Sequence, residues 1–152
     1  MMDATSGSEE LVSPEQLEVW RAFDRAHVHV VRQLEADLHE LHRLPLPWFD
    51  VLARLSEAEG QRLRMSQLAD LVMLSPSGLT RLVDRMISEG LVRRIPAERD
   101  GRGFYAALAE EGKRRLGDAS ETHQRGVRDY LLERFNDDEL TQLAGYLRRV
   151  YE

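Results

Sequence analysis

Residues 75–95, SPSGLTRLVDRMISEGLVRRI, contain a change from the periodicity of a helix to that of a strand. The apolar residues of the first half recur at the spacing of one helix face; they are Leu79, Leu82, Val83 and Met86. Ser75 before Pro76 is typical of a helix start, and Gly90 is typical of a helix stop. Leu91 to Ile95 is a short apolar run, so we expect a helix followed directly by a β-strand.

The sequence on both sides of this stretch predicts more small elements. Residues 96–103 are polar and contain an Asp-Gly turn signal, and Phe104 to Leu108 is a second strand-like run. Together they predict a β-hairpin with a long, arginine-bearing tip. Ser66 is the expected cap of a short third helix, and residues 62–64 are a candidate third strand. Two short helices joined by a tight turn and followed by a hairpin predict a winged helix-turn-helix.

Longer helices are expected to flank this unit. Four are predicted, over residues 13–44, 47–58, 110 to the 130s and 137–152. The apolar stripe of the first helix includes Leu17 and Trp20 and is longer than one small domain needs, so part of it is expected to face another subunit. The predicted fold class is therefore mainly α with a small β-hairpin wing, an α+β winged helix-turn-helix with long dimerisation helices at both ends.

The expected domain organisation follows from these elements. Residues 1–12 are expected to form a flexible tail, and residues 13–152 are expected to form one domain. Within it, 13–44 and 110–152 are assigned to the dimerisation helices and 45–109 to the winged helix-turn-helix. A length of 152 residues fits a single domain with a substantial core.

The composition excludes several classes of protein. The chain has no cysteine, which excludes disulfides, thiolate zinc sites and a cysteine nucleophile. No apolar run is long enough to cross a bilayer, and the acidic N-terminus does not resemble a signal peptide, so we expect a cytoplasmic protein without a membrane partner. No catalytic motif or phosphate-binding loop is present, so no enzyme activity and no cofactor are predicted.

The charge distribution favours a nucleic-acid surface on an otherwise acidic chain. The formal net charge is −6, and every basic residue except Lys113 is an arginine. Residues 62–102 contain eight arginines and five acidic residues, a local charge of +3, which leaves −9 for the rest. This concentration of positive charge at the predicted helix-turn-helix and hairpin is the pattern expected of a DNA-binding face.

Candidate DNA-binding residues lie on the polar face of the fourth helix and on the wing. An arginine can donate two hydrogen bonds to a guanine edge, and a threonine can contact a thymine methyl group or a phosphate. An ordinary solvated helix face would carry similar residues, and the local charge favours DNA. The helix candidates are Ser75, Ser77, Gly78, Thr80, Arg81 and Arg85. The wing candidates are Arg99 and Arg102, and Ser66 and Gln67 are candidates for phosphate contacts.

Histidines on the first helix have two interpretations. Glu35, His39 and His42 share one helix face and could ligate zinc together with a further carboxylate. The interpretation that we favour is that such histidines lie at a dimer seam or line a ligand cavity, with their ring nitrogens hydrogen-bonded. We therefore predict no metal site, and we name His39, His42 and Trp48 as candidate ligand-binding residues.

The stretch from Leu44 to Gly112 resembles the MarR family of bacterial winged-helix regulators. The resemblance is carried by four segments: LPLPWFDVLARLSEAEG, LRMSQLADLV, SPSGLTRLVDRMISEGLVRR and ERDGRGFYAALAEEG. It implies a homodimer with interlocked first, fifth and sixth helices, a recognition helix in the major groove and a wing arginine in the minor groove. By matching position, Asp100 is expected to steer Arg102. Ala109 departs from the helix-capping threonine usual in the family, so the fifth helix is expected to begin without a side-chain cap.

The predicted function is a sequence-specific, DNA-binding transcriptional regulator, most simply a ligand-responsive repressor. Its expected partners are double-stranded DNA with a pseudo-palindromic operator, a second copy of the chain, and a small aromatic or phenolic effector. The alternative is a winged-helix module that binds protein and has no specific affinity for DNA.

Overall fold

The computed structural model describes residues 11–72, 74–97 and 103–152. The described elements are six α-helices and three strands, in the order α1 (Pro14–His42), α2 (Leu46–Glu57), β1 (Arg62–Arg64), α3 (Met65–Leu71), α4 (Pro76–Ser88), β2 (Val92–Pro96), β3 (Phe104–Leu108), α5 (Glu110–Tyr130) and α6 (Asp137–Tyr151), with short 3-10 turns at Glu59–Gln61 and Leu132–Arg134. The predicted fold class, mainly helical with a small antiparallel sheet, is confirmed. Most of the predicted tail and the tip of the wing lie outside the described residues.

The small sheet has β3 at its centre, with β1 and β2 as antiparallel neighbours. Ala107 pairs with Arg62 on one side and with Arg93 on the other, and Tyr105 likewise pairs with Arg64 and Ile95. The candidate third strand at residues 62–64 is therefore confirmed. The second strand begins at Val92 instead of the predicted Leu91.

Leu91 is not part of the strand because it ends the preceding helix. Its amide donates to the carbonyl of Met86 at 2.9 Å, and Gly90 has the left-handed φ of 74° that the turn requires. The predicted stop at Gly90 is confirmed by this geometry. Leu91 is also buried, so the turn is fixed to the core.

Most predicted helix caps are formed by neighbours close in sequence. The Ser13 hydroxyl accepts from the Gln16 amide, and the Ser75 hydroxyl accepts from the Gly78 amide. The predicted cap at Ser66 is wrong, because β1 runs directly into α3 and places Arg64 at the cap position. There the Gln67 side chain reaches back and accepts from the Arg64 amide at 2.9 Å. Ala109 provides no side-chain cap for α5, as expected.

One hydrophobic core joins α1, the winged unit and α5. Its largest fully buried side chains include Leu38, Leu52, Leu55, Leu68, Leu79, Val83, Met86, Leu91 and Val92. Ala106 of β3 and Ala119 of α5 are fully buried in the same core. The helical periodicity of α4 is therefore explained by burial of one face against α3 and β2. Of the helices that the structure describes, none combines the length and apolar character needed to cross a membrane.

Apolar side chains remain exposed at both ends of the chain. Trp20 on α1 is 61% exposed and lies beside Phe23, with ring centroids 6.1 Å apart. On α6, Tyr146, Val150 and Tyr151 are also exposed. The apolar stripe predicted on the first helix is therefore only partly buried within the chain, and α6 carries a second exposed apolar face. Exposed apolar patches of this kind mark contact surfaces.

Two glycines let α5 approach its neighbours closely. A Cβ atom on Gly112 would overlap the carbonyl oxygen of Leu91 and would lie 3.0 Å from a methyl group of Leu52. A Cβ atom on Gly126 would lie 2.6 Å from a methyl group of Leu34 on α1. A side chain at Gly112 would require the backbone to shift, whereas one at Gly126 would require the Leu34 side chain to move.

The close contact between Gly112 and Leu91 predicts that replacement of glycine by alanine has opposite effects on stability at Gly112 and at Gly117, both on α5. Gly112→Ala should lower the free energy of unfolding by about 1–3 kcal/mol, as expected of an overpacked core. A Cβ atom on Gly117 would meet no neighbouring group within 4 Å, so Gly117→Ala should raise it by up to about 1 kcal/mol through helix propensity. Urea unfolding at one protein concentration measures both, and equal shifts at the two positions would contradict the close contact.

Candidate nucleic-acid interface

The fourth helix presents a polar face to solvent. Leu79, Val83 and Met86 are buried, whereas the opposite side chains are all exposed: Ser77, Thr80, Arg81, Asp84 and Arg85. The exposed face is the one predicted from the sequence. In the described part of the chain, no carboxylate lies within 4 Å of the guanidinium groups of Arg81 and Arg85, which leaves both groups available for an external acceptor.

The first turn of α4 is small and tightly built. The Ser75 hydroxyl accepts from the Gly78 amide at 3.2 Å, and a Cβ atom on Gly78 would lie 3.1 Å from that hydroxyl. Ser77 Oγ lies 3.4 Å from Ser75 Oγ. The Thr80 hydroxyl donates to the carbonyl of Pro76 at 2.9 Å, and the Thr80 side chain is exposed. Ser75 and Gly78 therefore shape the turn, while Ser77 and Thr80 line its surface.

An ion pair that sequence reasoning missed connects the fourth helix to the wing. Arg94 Nη2 lies 2.8 Å from Asp84 Oδ1, and the Arg94 guanidinium lies 3.8 Å from the ring centroid of Phe104. Arg94 balances the negative charge of Asp84 on the exposed face of α4. It also links α4 to β2 and β3, the strands from which the wing extends. Because half of each side chain is exposed, the pair contributes little to the stability of the fold, and its main effect is to position α4 relative to β2.

The remaining DNA candidates are divided between α3 and the wing. Ser66 and Gln67 are exposed at the start of α3, and Gln67 uses its carbonyl oxygen to accept from the Arg64 amide. Arg99, Asp100 and Arg102 lie outside the described residues. The described base of the wing, from Val92 to Ala97 and from Gly103 to Leu108, has the antiparallel pairing of a hairpin.

Residues at the junction of α1 and α2 form a set of long-range polar contacts. The Leu46 amide at the start of α2 donates to Glu35 Oε2 at 2.8 Å. Arg115 Nη2 on α5 donates to the carbonyls of His42 and Arg43, each at 3.0 Å. Arg43 itself has a left-handed φ of 51°, so Arg115 holds the sharp turn between the two helices.

The candidate ligand residues His39, His42 and Trp48 differ in their surroundings. His42 Nε2 lies 2.8 Å from Thr122 Oγ1, His39 is exposed, and Trp48 is half-buried against the core. The hydrogen-bonded interpretation applies to His42. The shared helix face of Glu35, His39 and His42 has a different use, because the Glu35 carboxylate caps α2. Among the described residues, no group of three or more His, Asp or Glu is placed to hold a metal ion.

His123 on α5 lies at the same junction and had no signal in the sequence. Its ring stacks on Phe49 of α2 with centroids 4.4 Å apart and an interplanar angle of 23°. Burial lowers the pKa of His123, and the nearby Asp50 carboxylate partly offsets this effect. A neutral imidazole against an aromatic ring is therefore part of the contact between α2 and α5.

Comparison with known proteins agrees with the fold and with the exposed helix. A model of the MarR family matches residues 43–103. The chain is 33% identical over 110 residues to the HTH-type transcriptional regulator PecS of Dickeya dadantii, a match that covers 72% of this chain and 66%, slightly less than two thirds, of PecS.

Solved structures extend the similarity over the long helices. AbsC, a MarR family transcriptional regulator from Streptomyces coelicolor, is 32% identical, with a TM-score of 0.83 over 91% of this chain and 93% of AbsC. Sco3205, from the same organism and solved in complex with DNA, is 29% identical, with a TM-score of 0.85 over 91% of this chain and 87% of Sco3205.

The buried face of α4, its exposed arginines and the paired strands of the wing define a winged helix-turn-helix protein. The chain belongs to the MarR family and is a transcriptional regulator. The predicted resemblance is confirmed. The DNA-binding regulator is favoured over the alternative of a protein-interaction module, and the family and fold are those of regulators rather than of enzymes.

The His123 contact predicts a specific dependence of stability on pH. Because the pKa of His123 is lowered in the folded state, the unfolded chain takes up a proton first as the pH falls through about 6.5. This histidine therefore reduces the free energy of unfolding in acid. His123→Phe keeps a ring against Phe49 and removes the titrating group. In urea unfolding from pH 8 to pH 5, the free energy of unfolding of the variant should rise relative to that of the wild type as the pH falls. If the two free energies change with pH in parallel, the assignment is contradicted.

Proposed function

We propose that this regulator binds a pseudo-palindromic DNA operator as a homodimer and represses transcription until a small organic molecule releases it. The observation that carries the DNA part is the exposed face of α4, where Arg81 and Arg85 stand free of described carboxylates beside a small polar first turn. The complex of the similar Sco3205 with DNA supports the same use of this fold.

Recognition of bases is assigned to α4. A helix of 13 residues is about 20 Å long, which suits insertion into a major groove about 12 Å wide. Arg81 is assigned a guanine edge, and the methyl group of the exposed Thr80 is assigned a thymine methyl group. Arg85, one turn further on, is assigned a base or a phosphate. Ser77 and Gly78 let the backbone of the first turn come close to the sugar–phosphate chain.

Contacts to the DNA backbone are assigned to the remaining candidates. Ser66 and Gln67 at the exposed start of α3 are assigned phosphates. Arg99 and Arg102 of the wing are assigned the minor groove, with Asp100 orienting Arg102. The ion pair between Asp84 and Arg94 supports this division, because it connects the base-reading helix to the strands that carry the wing.

The homodimer is supported by the exposed apolar faces of α1 and α6. Exposed apolar side chains such as Trp20 and Phe23 become buried only if another molecule packs against them. A second copy of the chain provides an apolar surface for this purpose on its own α1 and α6. A two-fold dimer carries two copies of α4, so it reads two inverted half-sites centred about 10 bp apart. Action on chromosomal DNA places the protein in the cytoplasm, and no catalytic role is assigned to it.

The effector is assigned to the junction between the long helices and the winged unit, near His39, His42 and Trp48. A small aromatic acid or phenol bound there changes DNA affinity only by its different affinity for the two spacings of the recognition helices. The absence of cysteine removes thiol oxidation as an alternative signal.

Base recognition by Arg81 predicts a loss of specificity. Arg81→Ala should weaken binding to the operator by about 1–3 kcal/mol, or roughly 5- to 150-fold, and should weaken binding to scrambled DNA much less. Arg125→Ala on α5, which removes an arginine paired with Glu121, is the matched control and should change neither. Fluorescence anisotropy at one salt concentration provides both affinities. An equal loss on operator and scrambled DNA would assign Arg81 to a phosphate instead.

The dimer interface predicts a change in assembly when charge is placed on α1. The wild type should be a dimer at micromolar concentration, and Trp20→Glu should shift it towards monomer because a carboxylate would have to be buried in an apolar seam. Ser88→Glu, at an exposed position of α4 outside the helices assigned to the dimer, adds the same charge as a control. Sedimentation velocity checks both variants, and a monomeric wild type would exclude this interface.

A further inference from the structure

One face of the small sheet carries three arginines that the assignments above do not use. Successive side chains of a strand point to opposite faces. The face turned away from the core, called here the outer sheet face, consists of Arg62, Arg64, Arg93, Ile95, Tyr105 and Ala107. Arg94 belongs to the opposite face, where it pairs with Asp84.

Two of the three arginines of the outer sheet face, Arg62 and Arg64, contact Tyr105. The guanidinium carbons of Arg62 and Arg64 each lie 5.1 Å from the centroid of the Tyr105 ring, and Arg64 Nε donates to the Tyr105 hydroxyl at 3.2 Å. Stacking on an aromatic ring fixes a guanidinium without neutralising it. Two like charges are therefore kept close together, an arrangement that an anion would stabilise.

The same arginines have no acidic partner among the residues that the structure describes. No described carboxylate lies within 4 Å of Arg62, Arg64 or Arg93, whereas Arg114, Arg125 and Arg128 on α5 all form ion pairs. The outer sheet face therefore keeps the positive charge of its arginines, whereas on α5 nearby carboxylates balance the charge of Arg114, Arg125 and Arg128. Available charge of this kind is typical of a phosphate-binding surface.

A groove of about 810 Å³ runs over this face. Arg62 and Arg93 flank it on either side of Ala107, and Gln67 of α3 and Tyr105 also line it. Glu59 and Glu110 lie at the end that is remote from the wing. These carboxylates repel phosphate, so the surface suited to a polyanion ends at the row formed by Arg62 and Arg93.

The position of the groove connects two parts of the proposed DNA interface. Arg64 directly precedes α3, whose first residues are assigned phosphates. Ile95 and Tyr105 pair with each other across the sheet, and Tyr105 also pairs with Arg64. The loop of the wing begins after Pro96 and ends before Phe104, so Ile95 and Tyr105 are each two residues, about 7 Å along the strand, from that loop. The outer sheet face therefore continues the basic surface from α3 towards the wing.

From the outer sheet face, we propose that Arg62, Arg64 and Arg93 bind backbone phosphates of the DNA that flanks each half-site, beyond the bases assigned to α4. The proposal rests on the proposed DNA binding and adds a contact that does not depend on sequence. Tyr105 is a positioning residue, since it fixes two of the guanidinium groups. The flanking contact raises the affinity for longer DNA without changing the choice of operator.

The experiment compares two lengths of duplex and two charge-matched variants. One duplex ends at the outer edges of the half-sites, and the other has about 10 bp more on each side, one helical turn. Arg62→Gln with Arg93→Gln removes two charges from the groove and retains long polar side chains. Arg114→Gln with Arg125→Gln removes two charges from α5. Circular dichroism and thermal melting establish that both variants fold as the wild type does.

The wild type is expected to bind the longer duplex more tightly, with a steeper dependence on salt. The groove variant should lose most of that gain, and its log–log salt slope on the longer duplex should be smaller by up to about 2, since each phosphate contributes roughly 0.9. Its preference for operator over scrambled DNA should be unchanged, and the α5 variant should behave as the wild type.

Three other outcomes are distinguishable. If the groove variant keeps the full gain from flanking DNA and the full salt slope, the proposal is overturned, although the effect of Arg81→Ala would still stand. If inorganic phosphate raises the melting temperature of the wild type but not of the groove variant, and the flanking gain is unchanged, the groove is a small-anion site and the DNA proposal is overturned. If the wild type prefers no DNA sequence, the failure lies in the proposed function itself.

Discussion

Leu91 is the point at which α4 and the long helix α5 are joined. Its amide completes the end of α4 by donating to Met86, and its carbonyl accepts from the Ala109 amide at 3.1 Å, directly before α5. Gly112, one turn into α5, contacts the same carbonyl. The side chain of Leu91 is buried, so this shared residue cannot move without opening the core. The first turn of α5 and the last turn of α4 are therefore held at a fixed distance.

A second connection lies at the other end of the winged unit. The Glu35 carboxylate caps α2, and Arg115 holds the carbonyls of the turn between α1 and α2. That turn includes Arg43 in a left-handed conformation, which costs a residue with a side chain roughly 1–2 kcal/mol. With connections at both ends, the winged unit and the long helices α1 and α5 form one body. In the proposed dimer, a change in the spacing of the two α4 helices would then require movement between protomers rather than bending within one.

The parts of the structure that were predictable from the sequence are those with local causes. The buried face of α4 follows from its own periodicity, and the caps at Ser13 and Ser75 have their partners three residues away. The missed features have distant partners. Asp84 and Arg94 are ten residues apart, Glu35 and Leu46 eleven, and His42 and Thr122 eighty. The error at Ser66 has the same origin, since only the pairing of β1 with β3 shows that Arg64 occupies the cap position. The exposed residues of α4 were correctly placed because exposure, like burial, is periodic.

The nearly exclusive use of arginine also determines which signals reach the DNA face. Lys113, the single lysine, is exposed on α5, so every described cation on α4 and on the outer sheet face is a guanidinium. Arginine keeps its charge throughout the physiological pH range and is not a substrate for lysine acetylation. The attraction between this face and a polyanion is therefore constant with respect to cellular pH and to acetyl-group supply. Among side chains, amine-reactive dyes and crosslinkers are for the same reason directed to Lys113 on α5, which gives a way of labelling the protein without modifying the arginines assigned to DNA.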